Sequence, residues 1–152
     1  MCYTFHVLSD CTIASAVVKR IFVIIYAISL QRLSGFYQEA LGMALDDHDA
    51  DYHRLLSSDS DYPAAELVRL QTPAQIVASV TIETPPVVRA STPIKPVFHL
   101  ADSIAQIRAR VEASGGLFSP AGDEWDFRDD RVCDGVDLEG NVFQVRSPAL
   151  AV

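Results

Sequence analysis

Ser29-Leu30-Gln31-Arg32-Leu33-Ser34-Gly35-Phe36-Tyr37-Gln38-Glu39-Ala40-Leu41-Gly42-Met43 is the stretch on which the fold turns. Leu30, Leu33, Tyr37, Ala40 and Leu41 fall at i, i+3, i+7, i+10 and i+11, which is one face of an α-helix. Ser29 stands where a side-chain oxygen can cap the first free N–H groups. Gly42 stands where a left-handed residue can close the last turn. Just upstream, residues 20–28 are dense in β-branched and aromatic side chains and predict a strand leading into the helix.

Working outward, the second half repeats this plan. Residues 96–101 predict a strand, Asp102 the next helix cap, and Ile104, Ile107 and Val111 the buried face of a second helix that Gly115 and Gly116 end. Ser29 and Asp102 are 73 positions apart, as are Gly42 and Gly115. Residues 64–70 alternate as a strand, and residues 77–84 are a further strand or a linking arm. Residues 125–133 and 142–146 are the later strands, separated by the turn Asp137-Leu138-Glu139-Gly140-Asn141. Pro85, Pro86, Pro93 and Pro96 suit an extended linker between halves. The organisation expected is an N-terminal extension over 1–18, a first module over 19–84, a proline-rich linker over 85–94 and a second module over 95–152. Each copy leaves a sheet face it cannot cover alone, so the two pair into one compact domain.

Composition bounds the function. At 152 residues, 49% hydrophobic and 21% charged, the chain suits one globular domain. Its net charge of -8 opposes nucleic acid, and a neutral or cationic small molecule is an easier partner. Two acidic runs, Glu39 to Glu66 and Asp123 to Glu139, read as solvated surfaces; if they met across a cleft they would form a cation-attracting mouth. Three cysteines, Cys2, Cys11 and Cys133, with no CxxC pair, indicate neither a disulfide framework nor a zinc knuckle, and fit a reducing cytoplasm. Asp134 beside Cys133 is expected to raise its thiol pKa, against a catalytic thiolate. Residues 21–30 are strongly apolar but too short to span a bilayer, so a buried strand and no membrane partner are expected. Arginine outnumbers lysine and Asn141 is the sole asparagine, a bias of GC-rich bacterial genomes. P-loop, Rossmann, Ser-His-Asp and CxxC signatures are absent.

Three segments carry a family resemblance. The helix quoted above, with Ser29, Phe36-Tyr37 and Leu41-Gly42, is similar to the first helix of the vicinal-oxygen-chelate superfamily, which includes glyoxalases, bleomycin-resistance proteins and extradiol dioxygenases. Asp137-Leu138-Glu139-Gly140-Asn141 with Val142-Phe143-Gln144-Val145 resembles its last turn and strand, and Phe98-His99-Leu100-Ala101-Asp102 the strand opening its second module. The likeness covers residues 20–147. It implies an α+β fold of two βαβββ modules forming a U-shaped mixed sheet around a cleft, commonly in a homodimer. It does not choose among the functions the fold carries.

The resemblance also assigns site positions. Metal-using members place His, Gln or Glu on four cleft strands, where a divalent metal acts as Lewis acid on two neighbouring substrate oxygens. Those positions fall on Phe22, Glu66, Lys95 and Gln144, of which only Glu66 is a good ligand. The expectation is therefore no metal cofactor. A shift of register brings in His99 or His6, and Glu66, His99 and Gln144 are the ligand set if a divalent metal binds. Glu66 and His99 are also the candidate general bases. Phe22, Tyr26, Val97, His99, Trp125 and Phe127 would supply an apolar, aromatic lining, and Glu66, Arg69, Lys95 and Gln144 the polar contacts, a balance common in small-molecule sites.

Plainer roles stand beside these. His99 is equally a packed strand residue; Glu66 and Gln144 can bond each other; Lys95 can pair with Glu66; Trp125 can be core or interface; His48 and His53 are expected to be solvated. Two classes of function remain. One is a metal-free protein binding a small organic ligand in the cleft, as bleomycin-resistance proteins hold a bulky cationic antibiotic. The other is a metal-dependent lyase, isomerase or dioxygenase.

Overall fold

A computed structural model describes residues 23–58, 66–72, 87–88 and 94–149. The expected extension over 1–18, the arm over 77–84, most of the linker over 85–94, and His6, Cys2 and Cys11 lie outside the described residues.

The first module runs β1 (Val23–Tyr26), α1 (Leu30–Leu41), β2 (Ala44–His48), β3 (Tyr52–Leu56) and β4 (Glu66–Gln71). The second runs β5 (Val97–His99), α2 (Ile104–Ala113), β6 (Leu117–Phe118), β7 (Trp125–Phe127), β8 (Asp130–Val136) and β9 (Val142–Pro148). Sheet order is β1-β4-β3-β2 in one module and β5-β9-β8-β6 in the other, with β7 also on β8. In each, the first strand lies parallel to the last and the remaining pairs are antiparallel. The two halves therefore share one topology, an α+β fold of two βαβββ modules with no closed barrel.

Two expectations are corrected. The second helix is capped by Ser103, not Asp102: its Oγ accepts from the Gln106 N–H while the Gln106 side chain accepts from the Ser103 N–H. This capping box satisfies two end groups at once, and Asp102 instead pairs with Arg110 at 2.7 Å. The strand expected over 125–133 is broken into β7 and β8 by a turn at Arg128, whose φ of 57° lies in the left-handed region. β6 and β7 pair with opposite ends of β8, so together they fill one strand position.

α1 ends as expected on Gly42 at φ 68°, and its apolar stripe is buried. Phe36 and Tyr37 reach the other module: Tyr37 lies edge-on to Phe98, and Phe36 lies 6.1 Å from Phe143 between ring centres. The helices also touch each other, so one core containing Leu33, Leu55, Val68, Ile107, Phe143 and Val145 joins both halves. No helix among the described residues is long and apolar enough to cross a membrane.

The last turn locks the junction. Asp137 accepts from the N–H groups of Glu139 and Asn141, from the Asn141 side chain, and from the Tyr37 hydroxyl at 2.9 Å. Burial, and then the Asp137 charge, push the Tyr37 phenol well above its ordinary pKa. Glu139 is 7% exposed, and its carboxylate accepts from Ile28 N–H at 2.8 Å and Ser29 N–H at 2.9 Å. α1 has no acidic residue in its own first turn, so the second module supplies the negative charge that its N-terminus favours.

Candidate functional site

Strand alternation decides which side chains share a face. In the second module Phe98, Cys133, Phe143 and Val145 face the core. Their neighbours Val97, His99, Val132, Asp134, Gln144 and Arg146 therefore point to the opposite face, and register places Trp125 and Phe127 beside them. Lys95, Val97, His99, Trp125, Phe127 and Gln144 thus share one face of the second sheet. Tyr26 and Arg69 share the corresponding face of the first sheet, with Arg69 lying 6.0 Å from the Tyr52 ring centre. Phe22 and the Glu66 side chain lie outside the described residues.

The polar groups on the second face are linked differently from the expected pairs. Lys95 Nζ bonds Asp134 at 2.6 Å, and Gln144 Nε2 donates to the other Asp134 oxygen at 3.2 Å. His99 Nδ1 lies 3.9 Å from an Asp130 oxygen, with its side chain 66% exposed. Trp125 and Phe127 are 40% and 42% exposed, so neither is core. Arg146 lies over Phe127, 4.5 Å from the ring centre. Asp130, Asp134 and Arg146 were not singled out from the sequence, although Arg146, two residues after Gln144, has the parity that would have found it.

Lys95 places an ammonium at one of the four positions, and the Asp134 carboxylate is already held by that ammonium and by Gln144. No group of three or more His, Cys, Asp or Glu residues among those described is arranged to hold a metal. His48 is exposed as expected; His53 is 5% exposed, and burial holds its imidazole pKa below the usual value. Cys133 is fully buried, and its thiol pKa is raised chiefly by that burial. The Asp134 carboxylate is not among the causes, and the backbone hydrogen bond at Asp134 acts in the lowering direction.

A cavity of about 790 Å3 opens between the modules. Leu41, Met43 and Leu67 line it from the first module, and Val97 through Asp102 from the second. Consecutive strand residues point to both faces, so a cavity touching all of them runs along the strand's edge. Among the described residues β5 is indeed an edge strand. Pro96 C=O and Leu100 N–H bond β9, so ladder alternation turns the backbone groups of Val97 and His99 toward the cavity side. Glu39 and the Asp102–Arg110 pair add charge to a mainly apolar lining. Val97 and His99 belong both to this cavity and to the aromatic face beyond β5.

No family model matches the sequence, and no curated protein does. Solved structures do match. A glyoxalase/bleomycin resistance protein/dioxygenase family enzyme from Burkholderia phytofirmans PsJN aligns at a TM-score of 0.58 and 15% identity, over 84% of this chain and 97% of its own. A glyoxalase/bleomycin resistance protein from Albidiferax ferrireducens T118 aligns at 0.58 and 18%, over 84% and 97%. The genomically encoded fosfomycin resistance protein FosX of Listeria monocytogenes aligns at 0.56 and 13%, over 89% and 95%. The chain has the vicinal-oxygen-chelate fold.

Proposed function

We propose that this protein binds a small organic ligand in the cavity between its modules, without the divalent metal used by other proteins of this fold. The cavity itself carries the reading. It is lined by Leu41, Met43 and Leu67 on one side and Val97, His99 and Leu100 on the other, with few charges. Its size and apolar walls are those of a small-molecule site. Backbone groups along the β5 edge would orient a polar atom of the ligand. The test is a titration of a panel of small organic molecules followed by amide NMR. Binders should shift Met43, Val97, His99 and Leu100 together, and Val97→Trp should weaken them about tenfold or more by filling the space. Shifts confined to other residues, or unchanged affinity in Val97→Trp, would remove the proposal.

A metal-dependent lyase, isomerase or dioxygenase is the second reading. It is favoured by His99 and Gln144 sharing one face, and by a FosX structure complexed with Mn(II). One tightly bound metal per purified chain would establish it in place of the first. A homodimer is part of the proposal, and a light-scattering mass of one chain would refute that part.

A further inference from the structure

We infer that the aromatic face of the second sheet is a binding site for a small aromatic carboxylate, with Arg146 as the anchor of its anionic group. This face carries lining residues that the resemblance assigns to the cleft and meets the cavity at Val97, but Arg146, Trp125 and Phe127 do not line that cavity, so the inference does not depend on the cavity being a ligand site.

The argument begins with charge accounting on that face. Asp134 is bonded by Lys95 and Gln144, and Asp130 sits near His99. Arg146, unlike Lys95 and His99, has no carboxylate beside it among the described residues. Its guanidinium is stacked over Phe127, and its Nε is buried with no acceptor among the described residues. A buried donor left without an acceptor is costly, and a ligand oxygen would satisfy it.

A second cation converges on the same ring. Arg128 lies with its guanidinium 5.5 Å from the Phe127 ring centre, and no described carboxylate bonds it. Arg128 is also the one non-glycine residue with positive φ among those described. That backbone conformation is unfavourable for a side chain of this kind and has to be held by its surroundings. Two guanidinium groups around one phenyl ring repel each other; an anion between them removes the repulsion and gives both a partner.

The same face supplies the apolar part of the site. Val132 lies in register between Arg146 and Trp125 and is fully buried, outside the main core. Val97, Trp125 and Phe127 stay 40–42% exposed around it. A flat ring resting on Trp125 or Phe127 would leave its carboxylate at the edge, where the planar Arg146 fork matches two oxygens.

Trp125 is the only tryptophan in the chain, so its fluorescence reports on this face alone. The probe is benzoate, with benzamide as the neutral control and benzylamine as the cationic one. Benzoate should quench or shift the emission saturably, at least about tenfold more tightly than either control, and Arg146→Met should weaken it by about tenfold or more. Arg146→Lys, which keeps charge but not the fork, should fall between. No saturable response to benzoate, equal binding of benzamide, tighter binding of benzylamine, or unchanged affinity in Arg146→Met would each overturn the proposal. If Arg146→Met fails to fold by circular dichroism, the three probes on the native protein and Arg128→Met, expected to weaken benzoate more modestly, still decide it.

Discussion

Replacing Glu139 by alanine tests whether one module caps the helix of the other. The carboxylate accepts from the N–H groups of Ile28 and Ser29 at 2.8 and 2.9 Å and is almost fully buried. Hydrogen bonds to a charged group contribute about 1.5–3 kcal/mol each, and truncation leaves both N–H groups without this partner. A negative charge at a helix N-terminus adds about 0.3–1 kcal/mol. Water entering the space offsets part of the loss, so Glu139→Ala should cost about 3 kcal/mol. With a urea m-value of about 2 kcal/mol/M, the unfolding midpoint falls by about 1.5 M. Glu139→Gln keeps one acceptor oxygen and loses the charge, so it should cost about half as much. Equilibrium urea unfolding by far-ultraviolet circular dichroism measures both. A Glu139→Ala variant within about 0.5 kcal/mol of the parent, or a glutamine variant as unstable as the alanine one, would refute the capping role.

Three further outcomes are expected. Gly135→Ala should lose about 1–3 kcal/mol in thermal or urea unfolding, because its Cβ would sit 2.5 Å from the Phe143 ring; an unchanged midpoint would mean the ring moves freely. The Glu124 carboxyl, held down to about 2 first by its bond to Arg108 and then by the Gly122 N–H, has a folded pKa below its ordinary 4.5. Its contribution is therefore complete above pH 4.5 and lost as pH falls toward 2, so Glu124→Gln should flatten the acid limb of a stability-against-pH curve and leave its shape near neutrality unchanged. Cys133, buried with a raised thiol pKa, should resist iodoacetamide in the native protein and react on unfolding, as read by peptide mass spectrometry at that residue; fast native labelling would contradict its burial.

The helices were legible because their signals are local. The apolar stripe of α1, Ser29 and Gly42 lie within one segment, and each was found where the periodicity put it. The cap of α2 is Ser103 and not the adjacent Asp102 that the sequence reading names, although the capping-box spacing of Ser103 and Gln106 distinguishes the two. The break at Arg128 had no glycine or proline to announce it. On the candidate site, Val97, His99 and Gln144 share one face because side chains alternate about the buried Phe98 and Val145. The partners of Lys95 and His99 could not be found this way: Asp134 and Asp130 come from a strand more than thirty residues away.

The sequence by itself determined the two helices, the repeated order of elements and the parity of the strands, because hydrophobic period and end caps act over a few residues. Only the tertiary structure decided that Lys95 is held by Asp134, that Glu139 caps a helix of the other module, and that Arg146 is left beside Phe127 without a carboxylate among the described residues. Those facts depend on strand register and on the packing of one module against the other. Contacts across that many residues are set by which burial and charge pairings can be satisfied together, and no local stretch of the chain encodes them alone.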